Sequence, residues 1–130
     1  MADIKEVTIL DYVKNAIGVS VSIDASDDLF DTDLIVLIDG ALSTLYQNGV
    51  WTPYPNRINN DKNLSWDKFF NNDIIHDRGN AIQYVVLKTK LLFDPPLPAT
   101  INAIVESNKE SLYRARMEFD DNDSNWWRSY

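Results

Sequence analysis

The sequence contains no cysteine, which excludes disulfides, thiolate nucleophiles and cysteine-ligated metal sites. It has a single histidine, His76, too few for a histidine metal site, and its four glycines form no phosphate-binding loop. The longest unbroken aliphatic run, at 34–38, is too short to span a bilayer. The first residues are charged and lack the apolar core of a signal peptide. We therefore expect a soluble, intracellular protein without a membrane segment.

Basic residues are also scarce: the sequence has 12 lysines and arginines and 20 aspartates and glutamates, which gives a net charge of -8. So acidic a chain, with its cations scattered, is not expected to bind DNA by phosphate neutralisation. Its acidity favours solubility or a basic partner. The remaining candidate for a metal site is an acidic cluster at 24–33, which lacks the glycine and the terminal glutamate of a calcium-binding EF-hand loop. We interpret it as a helix-capping cluster, made of Asp24, Asp27, Asp28, Asp31 and Asp33.

Hydrophobic residues make up 45% of the 130 residues, which suits one domain with one core. They recur at helical spacing and predict an all-α fold, a small bundle of four main helices and one short helix. Residues 19–23 are interpreted as an extended linker, and the prolines and asparagines of 50–64 predict a long loop. Helix ends are predicted at the capping and C-terminal residues Thr8 with Asp11, Gly18, Gly49 and Ser65.

Two further helices are predicted on either side of a proline corner. Residues 81–93 are apolar on more than one face, so we expect them to form the most buried helix of the domain. The prolines that follow restrict the preceding residue and lack a backbone N–H, so this helix cannot continue. Pro98 suits the first turn of the last helix. The structural corner consists of Phe93, Asp94, Pro95 and Pro96.

The C-terminal residues have no helical periodicity but are rich in aromatic side chains. We divide the chain into a helical domain, 1–119, and an extended tail, 120–130, that we expect to be flexible until bound. Tryptophan, tyrosine and arginine dominate interface hot spots, which favours a docking role for the tail. The alternative is that its aromatic side chains fold back and cap the core. The candidate binding residues are Trp126, Trp127, Arg128 and Tyr130.

The segment 84–117, YVVLKTKLLFDPPLPATINAIVESNKESLYRARM, resembles the C-terminal half of the head-to-tail connector proteins of long-tailed bacteriophages, also called adaptors or head-completion proteins. The shared pattern is an apolar helix that ends in LLFDPP, followed by a long helix rich in Glu, Leu and Arg. Upstream, VTILDYVKNAIGV and DLFDTDLIVLIDGALSTLY resemble the opening of the family. The resemblance covers most of residues 7–118, and the segment at 50–80 is longer than the family minimum.

The resemblance implies a structural, non-enzymatic role with no cofactor and no metal. Copies would form a ring between the portal protein and the tail-side head-closure (stopper) protein, extend the DNA channel and complete the head for tail attachment. DNA would pass through without sequence-specific binding, and the C-terminal segment would reach the portal. These features place the protein in the virion at the head–tail interface, and in the host cytoplasm during assembly.

Two other classes of function compete with this interpretation. The charge of -8 also fits a small acidic regulatory binder, such as a DNA-mimicking inhibitor or an antitoxin-like protein. In such a protein we expect the acids along one face, whereas here they cluster at helix starts. A small enzyme is the third possibility, but the sequence shows no convergent acid–base group that would serve as a catalytic site.

Overall fold

The structure, a computed structural model, describes residues 7–18, 30–50, 57–70 and 77–123. Residues 120–123 are described by their backbone alone. Within these ranges the chain is helical and contains no strand, which confirms the all-α prediction of four main helices and a short one. Thr8 and Ser65 form an isolated antiparallel bridge that joins the starts of two helices. The helices are α1 (Ile9–Ile17), α2 (Asp31–Gln47), α3 (Trp66–Phe69), α4 (Gly79–Phe93) and α5 (Pro98–Asp123).

Four helix ends lie where local chemistry predicts them. The Thr8 hydroxyl accepts the Asp11 N–H at 3.1 Å and starts α1, and the Ser65 hydroxyl accepts the Lys68 N–H at 3.1 Å and starts α3. Helix α1 ends at Gly18, whose φ of 89° lies in the left-handed region. Helix α2 ends in the same way before Gly49, at φ 91°. Glycine adopts this conformation without the steric cost of a Cβ.

The start of α2 differs from the capping interpretation of the acidic cluster. Its N-terminal cap residue is Phe30, which makes no side-chain capping bond. Asp31 and Asp33 lie in the first turn instead, where their charge interacts favourably with the helix dipole. Asp31 also accepts the Lys14 ammonium at 2.8 Å, and this ion pair joins α1 to α2. Residues 19–29, with the other three aspartates, lie outside the described residues.

Helix α2 supplies the largest share of the core, so the prediction that residues 81–93 form the most buried helix is wrong. Helix α4 contacts α1, α2 and α5, yet its Val86 and Leu87 are only half-buried. Val86 and Leu87 line an open surface between α4 and α1, together with Tyr12 and Ala16. The buried residues of α2 are Leu34, Ile35, Ile38, Ala41, Leu42 and Leu45.

The described part of the predicted long loop, residues 57–64, is fixed to α2 by polar contacts. The Asp39 carboxylate accepts the N–H groups of Ile58 at 2.8 Å and Asn59 at 3.0 Å. The Arg57 guanidinium donates to the Ser43 hydroxyl at 2.8 Å. Ile58 is thereby held in the core with no exposed surface. Residues 51–56 and 71–76, including His76, lie outside the described residues.

Helices α4 and α5 form an antiparallel hairpin. The Asn108 amide donates to the Tyr84 carbonyl at 3.4 Å, and the Glu118 carboxylate accepts the Asp77 N–H at 3.4 Å. The two helices therefore run in opposite directions. Helix α5 continues to Asp123, past the predicted boundary between domain and tail at 119. Its first ten residues contain no buried position. Its buried residues are Asn108, Ser111, Ala115 and Phe119, which recur at helical spacing.

Candidate functional site

The corner between α4 and α5 is four residues long, 94–97, and follows the proline pattern. Asp94 lies outside the α region, with φ -139° and ψ 75°, and a following proline disfavours the α conformation at this position. The Leu97 carbonyl accepts the N–H groups of Thr100 at 2.8 Å and Ile101 at 3.2 Å, so Pro98 occupies the first turn of α5. The end of one long helix and the start of the next are thus set by adjacent backbone constraints. Nothing in the corner requires glycine.

An apolar groove lies beside the corner, between the start of α2 and the end of α4. The rings of Phe30 and Phe93 meet edge to face, with centroids 5.5 Å apart. Val36 and Leu92, which line the groove, are 66% and 52% exposed, so together they present apolar surface to solvent. Among the described residues, Asp33 is the only charged one that lines the groove. We call it the corner groove, and it encloses a volume of about 500 Å³. Its lining residues are Phe30, Asp33, Val36, Leu37, Leu92 and Phe93.

A second exposed apolar surface lies on α5. Tyr113 and Met117, one helical turn apart, are 59% and 40% exposed. Both point away from the core, because the buried positions of this helix lie on the opposite side. Arg116 is exposed beside them, and it forms no ion pair within the described part of the chain. We call these three residues the α5 ridge.

A small cavity of about 150 Å³ lies in the hairpin itself, between α4 and α5. Its walls include Tyr84, Leu91 and Val105. Burial raises the pKa of the Tyr84 phenol, so the ring stays neutral at physiological pH. Asn108, also in the wall, has a buried Oδ1 with no hydrogen-bond partner among the described residues. The cavity is narrow and mostly apolar, and we interpret it as imperfect packing between the two helices.

The described residues offer neither a metal site nor a membrane-spanning helix. No group of three or more histidines, aspartates or glutamates in the described ranges is placed to hold a metal ion. Among the described helices, none combines the length and the apolar character that crossing a bilayer requires. The described residues do offer exposed apolar surfaces, among them the corner groove and the α5 ridge, and a corner set by prolines. Such features are typical of a protein that acts by contacting other proteins.

Comparison with known families is decisive for the class of protein. A family model described as phage connector protein matches residues 9–122, from the first residue of α1 almost to the end of α5. The chain belongs to the phage connector protein family. Connector proteins are structural components of the virion that link the head to tail components, and the family is not enzymatic. Membership favours this interpretation over the acidic-regulator alternative. No match was found among curated proteins or solved structures.

The structure describes half of the site residues that the sequence predicts for this connector. Of the four corner residues, Phe93 and Pro96 are half-buried, whereas Asp94 and Pro95 are exposed. The predicted portal-binding residues Trp126, Trp127, Arg128 and Tyr130 lie outside the described residues.

Sequence reasoning missed both exposed surfaces of the connector. The ridge had a local signal, because Tyr113 and Met117 lie off the apolar stripe of α5 at i, i+4 spacing. The corner groove had none, because its two walls are more than 50 residues apart in the chain.

Proposed function

We propose that this connector forms a ring between the portal protein and the tail-side head-closure (stopper) protein. The ring extends the DNA channel and completes the head for tail attachment. The observation that supports the proposal is the family match, which includes all five helices and the hairpin corner. Copies are made in the host cytoplasm and act in the virion at the head–tail interface.

The shape of the hairpin suits such a ring. A closed ring repeats one contact between unlike surfaces, so a small error in subunit shape accumulates around the circle. Pro95 and Pro96 restrict the backbone between α4 and α5 more than a flexible loop would. The net charge of -8 also suits a channel, because DNA that has to slide through should not be held by phosphate contacts.

The C-terminal residues carry the portal contact in this proposal. Trp126, Trp127 and Tyr130 fill apolar pockets of the portal, and Arg128 pairs with a carboxylate there. Tryptophan, tyrosine and arginine are the side chains that most often dominate the energy of an interface. This part of the proposal depends on composition and on the family's architecture.

Native mass spectrometry of the purified connector, with and without portal, tests the proposal. We expect a monomer or weak association for the connector alone, and one closed oligomer of defined stoichiometry when portal is added. A mixture of DNA and connector serves as the control and should show no complex at physiological salt. A stable dimer whose size does not change when portal is added would contradict the proposal and favour the acidic-regulator alternative.

A further inference from the structure

The corner groove and the α5 ridge both expose apolar side chains, and they carry opposite charges. The groove is concave and mostly apolar, and Asp33 is its one charged residue among those that the structure describes. The ridge has two exposed apolar side chains with one cation, Arg116, beside them. Neither charged group forms an ion pair within the described residues. In a protein interface, apolar side chains form the buried centre, and a pair of opposite charges, one on each partner, fixes the orientation of the contact.

The two surfaces cannot meet within one molecule. The groove lies at the corner end of the hairpin, next to Phe93, whereas Tyr113 is 15 residues beyond Pro98 on a continuous helix. At about 1.5 Å per residue, the ridge begins roughly 22 Å from the corner along the axis of α5. Helix α5 is one continuous helix that packs against α4, so it cannot fold back onto the groove. Any contact between them joins two copies.

We propose that the α5 ridge of one connector packs into the corner groove of the next copy, with Arg116 paired to Asp33. The inference rests on the self-association in the proposed function and names the surfaces that carry it. The contact is heterologous, because the two surfaces share no residue. Each copy therefore offers one groove and one ridge, so copies add head to tail until the oligomer closes into a ring.

The absence of cysteine makes this contact directly testable by cross-linking. The variant Val36→Cys with Met117→Cys carries one thiol in the groove and one on the ridge. Treated with a short bismaleimide after assembly on portal, it should give a ladder of covalent dimers, trimers and larger species. Each single variant, Val36→Cys or Met117→Cys, has only one thiol and should give at most traces of dimer. A double variant that stops at dimer, or does not cross-link in intact rings, overturns the proposal.

A charge exchange tests the pair that orients the contact. Asp33→Lys and Arg116→Glu should each lower the amount of connector assembled on portal at least tenfold, and the double variant should restore it. The matched control is Asp33→Lys with Lys62→Glu, which has the same net charge as the restored variant but changes an exposed turn residue instead. This control should stay defective. Melting curves should show that all variants fold, since the three positions are exposed.

The outcomes separate this inference from the proposed function. If wild-type connector forms a ring and both single variants assemble normally, the ring stands and the surfaces named here are wrong. If the single variants fail and the exchange does not restore assembly, Asp33 or Arg116 contacts portal or stopper, and the inference is again wrong. If wild-type connector itself forms no oligomer on portal, the proposed function fails before any variant is compared.

Discussion

At the scale of single residues, Asp39 shows how one carboxylate fixes a long connection to the bundle. It accepts two consecutive backbone N–H groups, and these place Ile58 in the core. Burial raises the pKa of the Asp39 carboxyl above its ordinary value of 3.8, and the two hydrogen bonds and the Arg57 charge offset this only in part. The sequence gives no signal for this role, because the partners lie almost 20 residues away in a segment without periodicity.

We expect Asp39→Ala to lower the free energy of unfolding by roughly 1–3 kcal/mol, because two backbone donors lose their acceptor. The matched control is Asp33→Ala, an exposed aspartate of the same helix, for which we expect a loss of at most about 1 kcal/mol. Urea titrations of the three proteins provide the measurement. An equal loss for both variants would show that the carboxylate does not anchor the loop.

The same variant has a pH signature. A raised pKa means that the folded protein holds the Asp39 proton more tightly than the unfolded chain does. The contribution of Asp39 to stability is therefore complete below pH 3.8 and declines as the pH rises through the raised pKa. The difference in unfolding free energy between wild type and Asp39→Ala should therefore shrink as the pH rises from 3.8 through the raised pKa of Asp39. A difference that grows with pH would mean that the pKa is lowered instead.

At the scale of helices, the relative burial of α2 and α4 decides where the core is most sensitive. Leu42 of α2 has no exposed surface, whereas Leu87 of α4 is half-buried. We expect Leu42→Ala to cost about 2–5 kcal/mol, because it leaves a cavity in close-packed surroundings. Leu87→Ala should cost less than about 2 kcal/mol, since less apolar surface is lost. Equal losses in chemical denaturation would contradict the observed packing.

Helix positions were predictable from the sequence to the extent that short-range chemistry sets them. Thr8, Ser65, Gly18 and Gly49 act on backbone groups within a few residues, so their effect is readable without the fold. Burial was not predictable in the same way, since the exposure of a helix face depends on which elements from distant parts of the chain pack against it, as α1, α2 and α5 do against α4. The corner groove was hidden for this reason as well, because it exists only where α2 and α4 meet.

The proline corner leads to a prediction about assembly rather than folding. Replacing Pro95 and Pro96 with alanine removes the restriction on Asp94, so α4 is free to lengthen and the hairpin angle to vary. We expect unchanged or higher helix content by circular dichroism, a melting temperature close to wild type, and phage heads that fail to attach tails. The control Pro98→Ala changes a first-turn proline that helix geometry tolerates, and it should attach tails normally. Normal tail attachment by the double variant would refute the rigid-corner argument.

At the scale of the whole molecule, the described helices account for the fold without the last seven residues. Helix α5 is held by contacts that precede them: Phe119 is fully buried and its ring stacks on Phe70, with centroids 5.8 Å apart. The division into a bundle and a portal-binding end therefore predicts that stability and docking are separable. The alternative, in which the C-terminal aromatic side chains cap the core, predicts that the two properties change together.

Deleting residues 124–130 tests this division, and the cut leaves α5 intact to Asp123. We expect the melting temperature to change little, because no residue of the described core is removed, and portal attachment to be abolished. Trp126→Ala and Trp127→Ala should each weaken binding by about 2 kcal/mol or more, as interface hot spots do. Ser129→Ala is the matched control from the same segment and should bind like wild type. Calorimetric melting and portal pull-down on the same preparations give both measurements. A truncated connector that melts early but still docks would show that the tryptophans belong to the core, and the portal contact would then have to lie elsewhere on the bundle.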